Sequence, residues 1–502
     1  MAMTVQLDGK SLTLEKLVRI ADGERVTIAT AVKARVVRSR GVVEALLRTG
    51  KALYGINTGF GGLATTRIPE SDLAQLQVRL LRSHAAGYGA YLGKPQTRAM
   101  MALRTNVLLR GLTGVRFEVC RLLVDLLNAG VHPCVPEKGS VGASGDLAPL
   151  AHLALPIIGE GLCEYRGRIM PARSALNRAK LKPIVLREKE GLSLINGTQA
   201  MCAVGSLAVA EALRLAKLAD IAAALSAEAR SANVDAFDPR IHEARLHVGQ
   251  MTSAKRIQRL LQGSKLCGKH SPTTRVQDAY SFRCAPQVHG ASIDALEYCR
   301  AVLEREMNAA TDNPLVFDGE ILSGGNFHGQ PLALALDFAA IATAELGSIS
   351  ERRIEQLINP ALSGLPAFLT PQPGTNSGFM AAQYLAASLV NENKIYASPA
   401  STDSIPTCAN IEDHVSMGMT SANKLQRIVE NIYPILAVEF LCGAQARDFR
   451  EKKTPAPRLD RVYRVIRKSV PRLLHDRIIS RDIERAAQLV KSSVLEKAAG
   501  LL

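Results

Sequence analysis

Apolar positions along this chain recur at three- and four-residue spacing and seldom alternate. Residues 11–50 carry two such helical patterns with charged faces, as an outer layer would. Leu73, Leu76, Leu80 and His84 fall on one face of a predicted helix that Ser71 can cap and that Gly87 ends. Two longer apolar runs, 200–229 and 332–349, are interrupted by Glu211, Arg214, Lys217 and Asp220 in the first, and by Asp337 and Glu345 in the second. They predict buried bundle helices, not membrane spans. Glycine and proline clusters break the pattern at 54–63, 131–136, 311–315 and 324–330. The fold class expected is all-α. A chain of 502 residues exceeds one typical domain, and a single boundary is placed near Asn196, giving units 1–199 and 200–502.

Composition sharpens this picture in three ways. The chain has no Trp and few aromatic residues, and it is rich in Ala and Leu, which favours helix. Its 62 basic against 46 acidic residues leave a net charge of +16, a field suited to nucleic acid or to small anions. The densest basic stretch, 251–275 (Lys255, Arg256, Arg259, Lys265, Lys269, Arg275), lacks the interleaved aromatics of a single-strand groove, so a solvated surface is expected and no nucleic-acid partner. The nine cysteines are scattered and form no CxxC pair; reduced buried thiols in a cytoplasmic protein are the expectation. No HExxH occurs, and no metal site is expected. The first residues, Met1 to Asp8, do not read as a signal peptide.

The chemistry gathers at Gly139-Ser140-Val141-Gly142-Ala143-Ser144-Gly145-Asp146, a turn predicted to open a helix. Glycine at 145 lets its backbone nitrogen approach a carbonyl more closely than a residue with a Cβ would. Attack of that nitrogen on the carbonyl carbon of Ala143, with loss of water from the ring and from the Ser144 side chain, would leave an exocyclic methylidene. No ordinary side chain supplies such an electrophile. Ala-Ser-Gly alone is a common turn, but the whole stretch resembles the signature of the aromatic amino acid ammonia-lyases and aminomutases. In that family the triplet becomes 4-methylideneimidazole-5-one (MIO), which implies no external cofactor.

Further motifs extend the resemblance in the family's order. Tyr54-Gly55-Ile56-Asn57-Thr58-Gly59-Phe60-Gly61-Gly62-Leu63, with four glycines in eight residues, cannot be a stable helix and suits a mobile loop. It resembles the family's inner loop, which makes Tyr54 the implied catalytic base. Asn196, in Leu194-Ile195-Asn196-Gly197-Thr198, reads by itself as a helix cap; the resemblance puts it beside the electrophile and the substrate carboxylate. Gln277, Tyr280 and Arg283 share one side if helical. The resemblance implies Arg283 as the carboxylate clamp, whose planar fork matches a carboxylate, with Tyr280 and Gln277 holding the reacting geometry. Phe327 is implied to pack against the electrophile, and Met380 to lie near the substrate ring.

Two features point within the family. A lone His on an apolar face is usually a core residue, but Ser83-His84 resembles the selectivity pair of the histidine-specific members. An imidazole can exchange an N–H···N hydrogen bond with another imidazole. Glu412, in Asn410-Ile411-Glu412-Asp413-His414-Val415-Ser416-Met417, stands where those members carry a carboxylate able to accept from an imidazole N–H. Gln330 and Ile411 depart from the histidine-specific pattern, which has Glu and Gln there. The resemblance therefore implies elimination of ammonia from L-histidine to give trans-urocanate, on a long central helical bundle of the fumarase/aspartase-like architecture. It also implies a homotetramer whose sites draw on three subunits. The rival readings are a tyrosine or phenylalanine ammonia-lyase, an aminomutase sharing the same site, or a non-catalytic basic helical binding protein.

Overall fold

In a computed structural model of the protein, residues 4–63, 65–268, 277–450 and 453–502 are described. Met1, Ala2 and Met3, and Lys269 and Arg275 of the basic stretch, lie outside them. The chain is mostly helical, as the pattern predicts; among the described residues short strands form four small sheets of two or three strands each. It divides into two compact units, each assembled from three separate segments. The first takes residues 1–210, 299–337 and 399–423; the second takes 211–298, 338–398 and 424–502. A single cut after residue 199 does not describe this. The long helices Gln199–Arg230, Ala285–Met307, Gln330–Ile358 and Gly418–Asp448 contribute residues to both units.

The first helix of the first unit, Leu14–Ala21, is capped at its N-terminus by Thr13 Oγ1, which accepts from the Lys16 amide. It buries Leu14, Leu17, Ile20 and Ala21 against Lys94–Leu108, a helix buried along almost its whole length. The second helical pattern of the N-terminal region becomes Val32–Leu47, after the strand Arg25–Ile28 that pairs in parallel with Thr4–Leu7. Ser71 does not cap the next helix. It sits inside a 3-10 turn, Glu70–Asp72, and the helix proper is Leu73–His84, with Asp72 at its N-cap making no side-chain cap bond. The proline-broken run at 131–136 forms two short strands, Val131–Pro133 and Pro136–Lys138.

In the second unit a fully buried polar cluster joins long helices. Glu439 accepts from Arg353 at 2.6 Å, from Ser350 at 2.6 Å and from Ser226 at 2.9 Å, so a charge that would be costly alone is fully paired. Asp220 pairs with His289 at 2.8 Å and with Arg256 at 3.2 Å, which absorbs one of the basic residues of 251–275. Among the described residues one helix, Gln330–Ile358, is long and apolar enough to cross a membrane, and its apolar window is 67% buried, as in a core helix. Among the described residues seven cysteines are buried and none of the nine forms a disulfide; Cys408, exposed, and Cys284, half-buried, depart from the expectation.

Candidate active site

A cavity of about 830 Å³ in the first unit collects most of the residues singled out from the sequence. Tyr54, His84, Ala143, Ser144, Asn196, Phe327 and Glu412 all line it, although they come from separated stretches of chain.

The Ala143-Ser144-Gly145 turn sits at the start of helix Leu147–Ala154. Gly145 adopts φ +74°, and a Cβ there would lie 2.1 Å from the Gly197 carbonyl oxygen. Only glycine is accepted at this close approach. Gly197 is held in turn, because its carbonyl accepts from the Asp146 amide at 2.7 Å. Asp146 does not cap its own helix. Its buried carboxylate accepts from the Met201 amide at 2.8 Å, at the N-terminus of Gln199–Arg230, and from Ser140 Oγ at 2.8 Å. Burial pushes this carboxyl up to about 6, against those hydrogen bonds, which favour the charged form.

Ser144 Oγ donates to Glu412 Oε1 at 3.1 Å, and Thr407 Oγ1 donates to Glu412 Oε2 at 2.7 Å. Glu412 stands in a turn ahead of the helix that begins at Gly418, not on a helix. His84 Nδ1 is 3.0 Å from both the Leu80 carbonyl and Ser83 Oγ. The first partner accepts from an Nδ1–H and the second can donate to a bare Nδ1, so either neutral tautomer is satisfied and Nε2 is free to donate or accept.

Asn196 ends the short helix Glu190–Ile195. Its Nδ2 donates to the Asn313 carbonyl at 2.8 Å, which leaves Oδ1 buried without a hydrogen-bond partner. That free acceptor suits an amine N–H better than a carboxylate. The neighbouring backbone is anchored from beneath: Arg104 Nη1 donates to the Asn196 carbonyl at 2.9 Å and to Gln199 Oε1 at 2.6 Å. Burial pulls the Arg104 guanidinium down to about 10. Asp312, next to Asn313, is paired with Lys189 at 2.9 Å, both fully buried.

The Tyr54 loop is organised by its own hydrogen bonds. Asn57 Oδ1 accepts from the Leu53 amide at 2.7 Å, and the Gly61 amide donates to the Tyr54 hydroxyl at 3.2 Å. The Gly62 amide reaches Cys408 Sγ at 3.4 Å, so the loop touches the Glu412 turn. His328 joins the same wall, donating from Nε2 to the His414 carbonyl at 3.1 Å while Nδ1 accepts from the Gln330 amide. Gln330 Nε2 reaches the Ser401 carbonyl, and Ile411 is exposed on the pocket rim, so neither departure from the histidine-specific pattern blocks the cavity.

A model of the aromatic amino acid lyase family matches residues 12–468. The chain belongs to that family. It is 54% identical to a histidine ammonia-lyase of Anaeromyxobacter sp. (strain K), over 98% of this chain and 99% of that one. The solved histidine ammonia-lyase from Trypanosoma cruzi superposes with a TM-score of 0.92 at 44% identity, covering 99% of this chain and 95% of that one. The tyrosine aminomutase from Streptomyces globisporus superposes with a TM-score of 0.96 at 39% identity, covering 99% and 98%. The fold is therefore shared by lyases and aminomutases, and fold alone does not choose between them.

Gln277, Tyr280, Arg283 and Met380 are not among the residues lining this cavity; all four belong to the second unit. There Arg283 donates to Gln277 Oε1 and stacks over the Tyr280 ring at 5.2 Å, with Tyr280 72% exposed. Met380 is half-buried at the first turn of helix Met380–Tyr396. Asp146, Thr407 and Cys408 are contributors that the sequence reading gave no role. Asp146 stands in the turn ahead of its helix, and nothing local shows that its carboxylate serves another helix 55 residues away.

Proposed function

We propose that this protein is a histidine ammonia-lyase, a carbon–nitrogen lyase that converts L-histidine to trans-urocanate and ammonia. The observation that carries the reading is the placement of His84 and Glu412 in one cavity with Ser144. A neutral imidazole has one N–H and one bare nitrogen. Glu412 accepts from the first, and His84 Nε2 donates to the second in the tautomer that Ser83 supports. A phenyl ring offers neither group, and a site built to pair both nitrogens leaves its own polar groups unpaired against such a substrate.

Ala143-Ser144-Gly145 fits the MIO group: Gly145 carries no Cβ and could carry none, and the Ser144 side chain faces the cavity. The cyclised triplet would supply an electrophile that takes up the substrate amine and makes it a better leaving group. Tyr54 removes the weakly acidic β-proton. Asn196 presents its unpaired Oδ1 to the amine. Phe327 packs beside the turn. Arg283 binds the carboxylate, with Gln277, Tyr280 and Met380 completing the site from neighbouring copies in a homotetramer. Exposed Leu334, Phe338 and Ile341, one to two turns apart on Gln330–Ile358, support association through that helix. Buried thiols without disulfides suit a cytoplasmic location, with no nucleic acid or membrane as partner.

Ultraviolet spectroscopy of the purified protein with L-histidine, L-tyrosine and L-phenylalanine tests the reading, beside Ser144→Ala. Urocanate from histidine alone, lost in the variant, is expected. Coumarate or cinnamate would retain the electrophile and overturn the roles of His84 and Glu412. A β-amino acid product would mark an aminomutase.

A further inference from the structure

Glu412 is held by a turn that the proposed reaction does not use directly. The Thr407 amide donates to the Glu412 carbonyl at 3.0 Å and the Glu412 amide to the Thr407 carbonyl at 3.3 Å, which closes a six-residue loop. Inside it Cys408, Ala409 and Asn410 all have positive φ, at 51°, 54° and 67°. None is glycine. Three successive left-handed residues are unfavourable, and such strain persists only where the surroundings over-determine the conformation. Here the reciprocal backbone pair does so at the neck of the loop, and the Thr407 hydroxyl adds a side-chain bond to Glu412 Oε2 at 2.7 Å.

The two carboxylate oxygens therefore have different partners. Oε2 is bound to Thr407, on its own turn. Oε1 is bound to the Ser144 hydroxyl, on the turn that would cyclise. Closing the ring forms a bond from Gly145 N to the Ala143 carbonyl carbon and releases two waters, one carrying the Ala143 oxygen and one carrying Ser144 Oγ. The donor to Oε1 thus disappears, while the donor to Oε2 stays.

We infer that Thr407 is a positioning residue that fixes which oxygen of Glu412 the mature site presents to the substrate imidazole. By holding Oε2, it keeps the carboxylate from turning once Ser144 Oγ has gone, so that Oε1 remains aimed at the cavity as a single, preorganised acceptor. Charge-assisted bonds of this kind are the stronger class and lock orientation. The inference rests on the reading of Glu412 as the imidazole acceptor.

The test is steady-state kinetics on L-histidine for Thr407→Val, Thr407→Ser, Glu412→Gln and the Val/Gln double variant, with the electrophile's absorbance recorded for each. Loss of a hydrogen bond to a charged group predicts a fall in kcat/KM on the order of ten- to a hundredfold for Thr407→Val, carried mainly by KM. The absorbance should persist, Thr407→Ser should recover most of the loss, and the double variant should be little worse than Glu412→Gln alone. If Thr407→Val does not assemble, Thr407→Ala carries the same expectation. Wild-type kinetics in Thr407→Val, or a loss that adds in full to that of Glu412→Gln, would overturn the inference while leaving Glu412 in its role. A silent Glu412→Gln would overturn both.

Discussion

Ser144 Oγ donates to Glu412 Oε1 at 3.1 Å, joining residues 268 positions apart in the chain. The bond places the carboxylate within reach of the atom around which the electrophile forms. Glu412→Gln keeps the size of the side chain and removes its charge. Its kcat/KM for L-histidine should fall about ten- to a hundredfold, as expected for the loss of a charge-assisted bond to the imidazole N–H. The variant should still develop the electrophile's absorbance, since Glu412 contributes no atom to the ring. Parallel spectra and histidine kinetics check this, and a variant with full activity would remove Glu412 from substrate recognition.

Tyr54 shares the cavity with Ser144, and its hydroxyl accepts from the Gly61 amide at 3.2 Å. Tyr54→Phe leaves the ring and removes the proposed base, so kcat should fall by about two to four orders of magnitude with KM nearly unchanged. A comparable rise in KM without loss of kcat would instead make Tyr54 a binding residue.

The glycine and proline breaks and the helical spacing carried the architecture well. The Tyr54 loop, the turn before Leu147 and the long helices from 199 and 330 stand where the pattern puts them. Ser71 shows the limit: a residue of good capping type is passed over because a 3-10 turn precedes the helix. The units were not legible, because helices such as Gln199–Arg230 run through both, and no composition shift marks the point where contacts change partner. Within the site, residue type and motif single out Tyr54, His84, Asn196 and Glu412, which line one cavity. They do not single out Thr407 and Asp146, since each acts on a group whose position is known only in the folded chain.

Gly145 offers a sharper test of the turn. Gly145→Ala forces a Cβ to within 2.1 Å of the Gly197 oxygen at φ +74°. Gly130 has the same φ, and a methyl added there would meet nothing within 4 Å, so Gly130→Ala isolates the backbone cost, about 1–2 kcal/mol. Gly145→Ala should cost clearly more in thermal unfolding and should show no electrophile absorbance. Equal losses in the two variants would mean that the Gly197 contact relaxes without consequence.

Asp146 links the turn to acid stability. Its carboxyl is fully buried and lies at about 6 in the folded protein against an ordinary 3.8, chiefly because burial disfavours the charged form. The folded state therefore binds this proton more tightly than the unfolded chain does. The resulting contribution is fully present below pH 3.8 and is lost as pH rises through about 6. A shift of roughly two units corresponds to about 3 kcal/mol at most. Asp146→Asn keeps one acceptor oxygen and cannot titrate. The melting temperature of the wild type minus that of the variant should then rise as the pH is lowered from 7 towards 4, with most of the change between about 6 and 4. Thermal unfolding at half-unit intervals measures it. A difference that stays flat over this window, or that falls, would mean that the hydrogen bonds from Met201 and Ser140 outweigh burial and keep Asp146 ionised throughout.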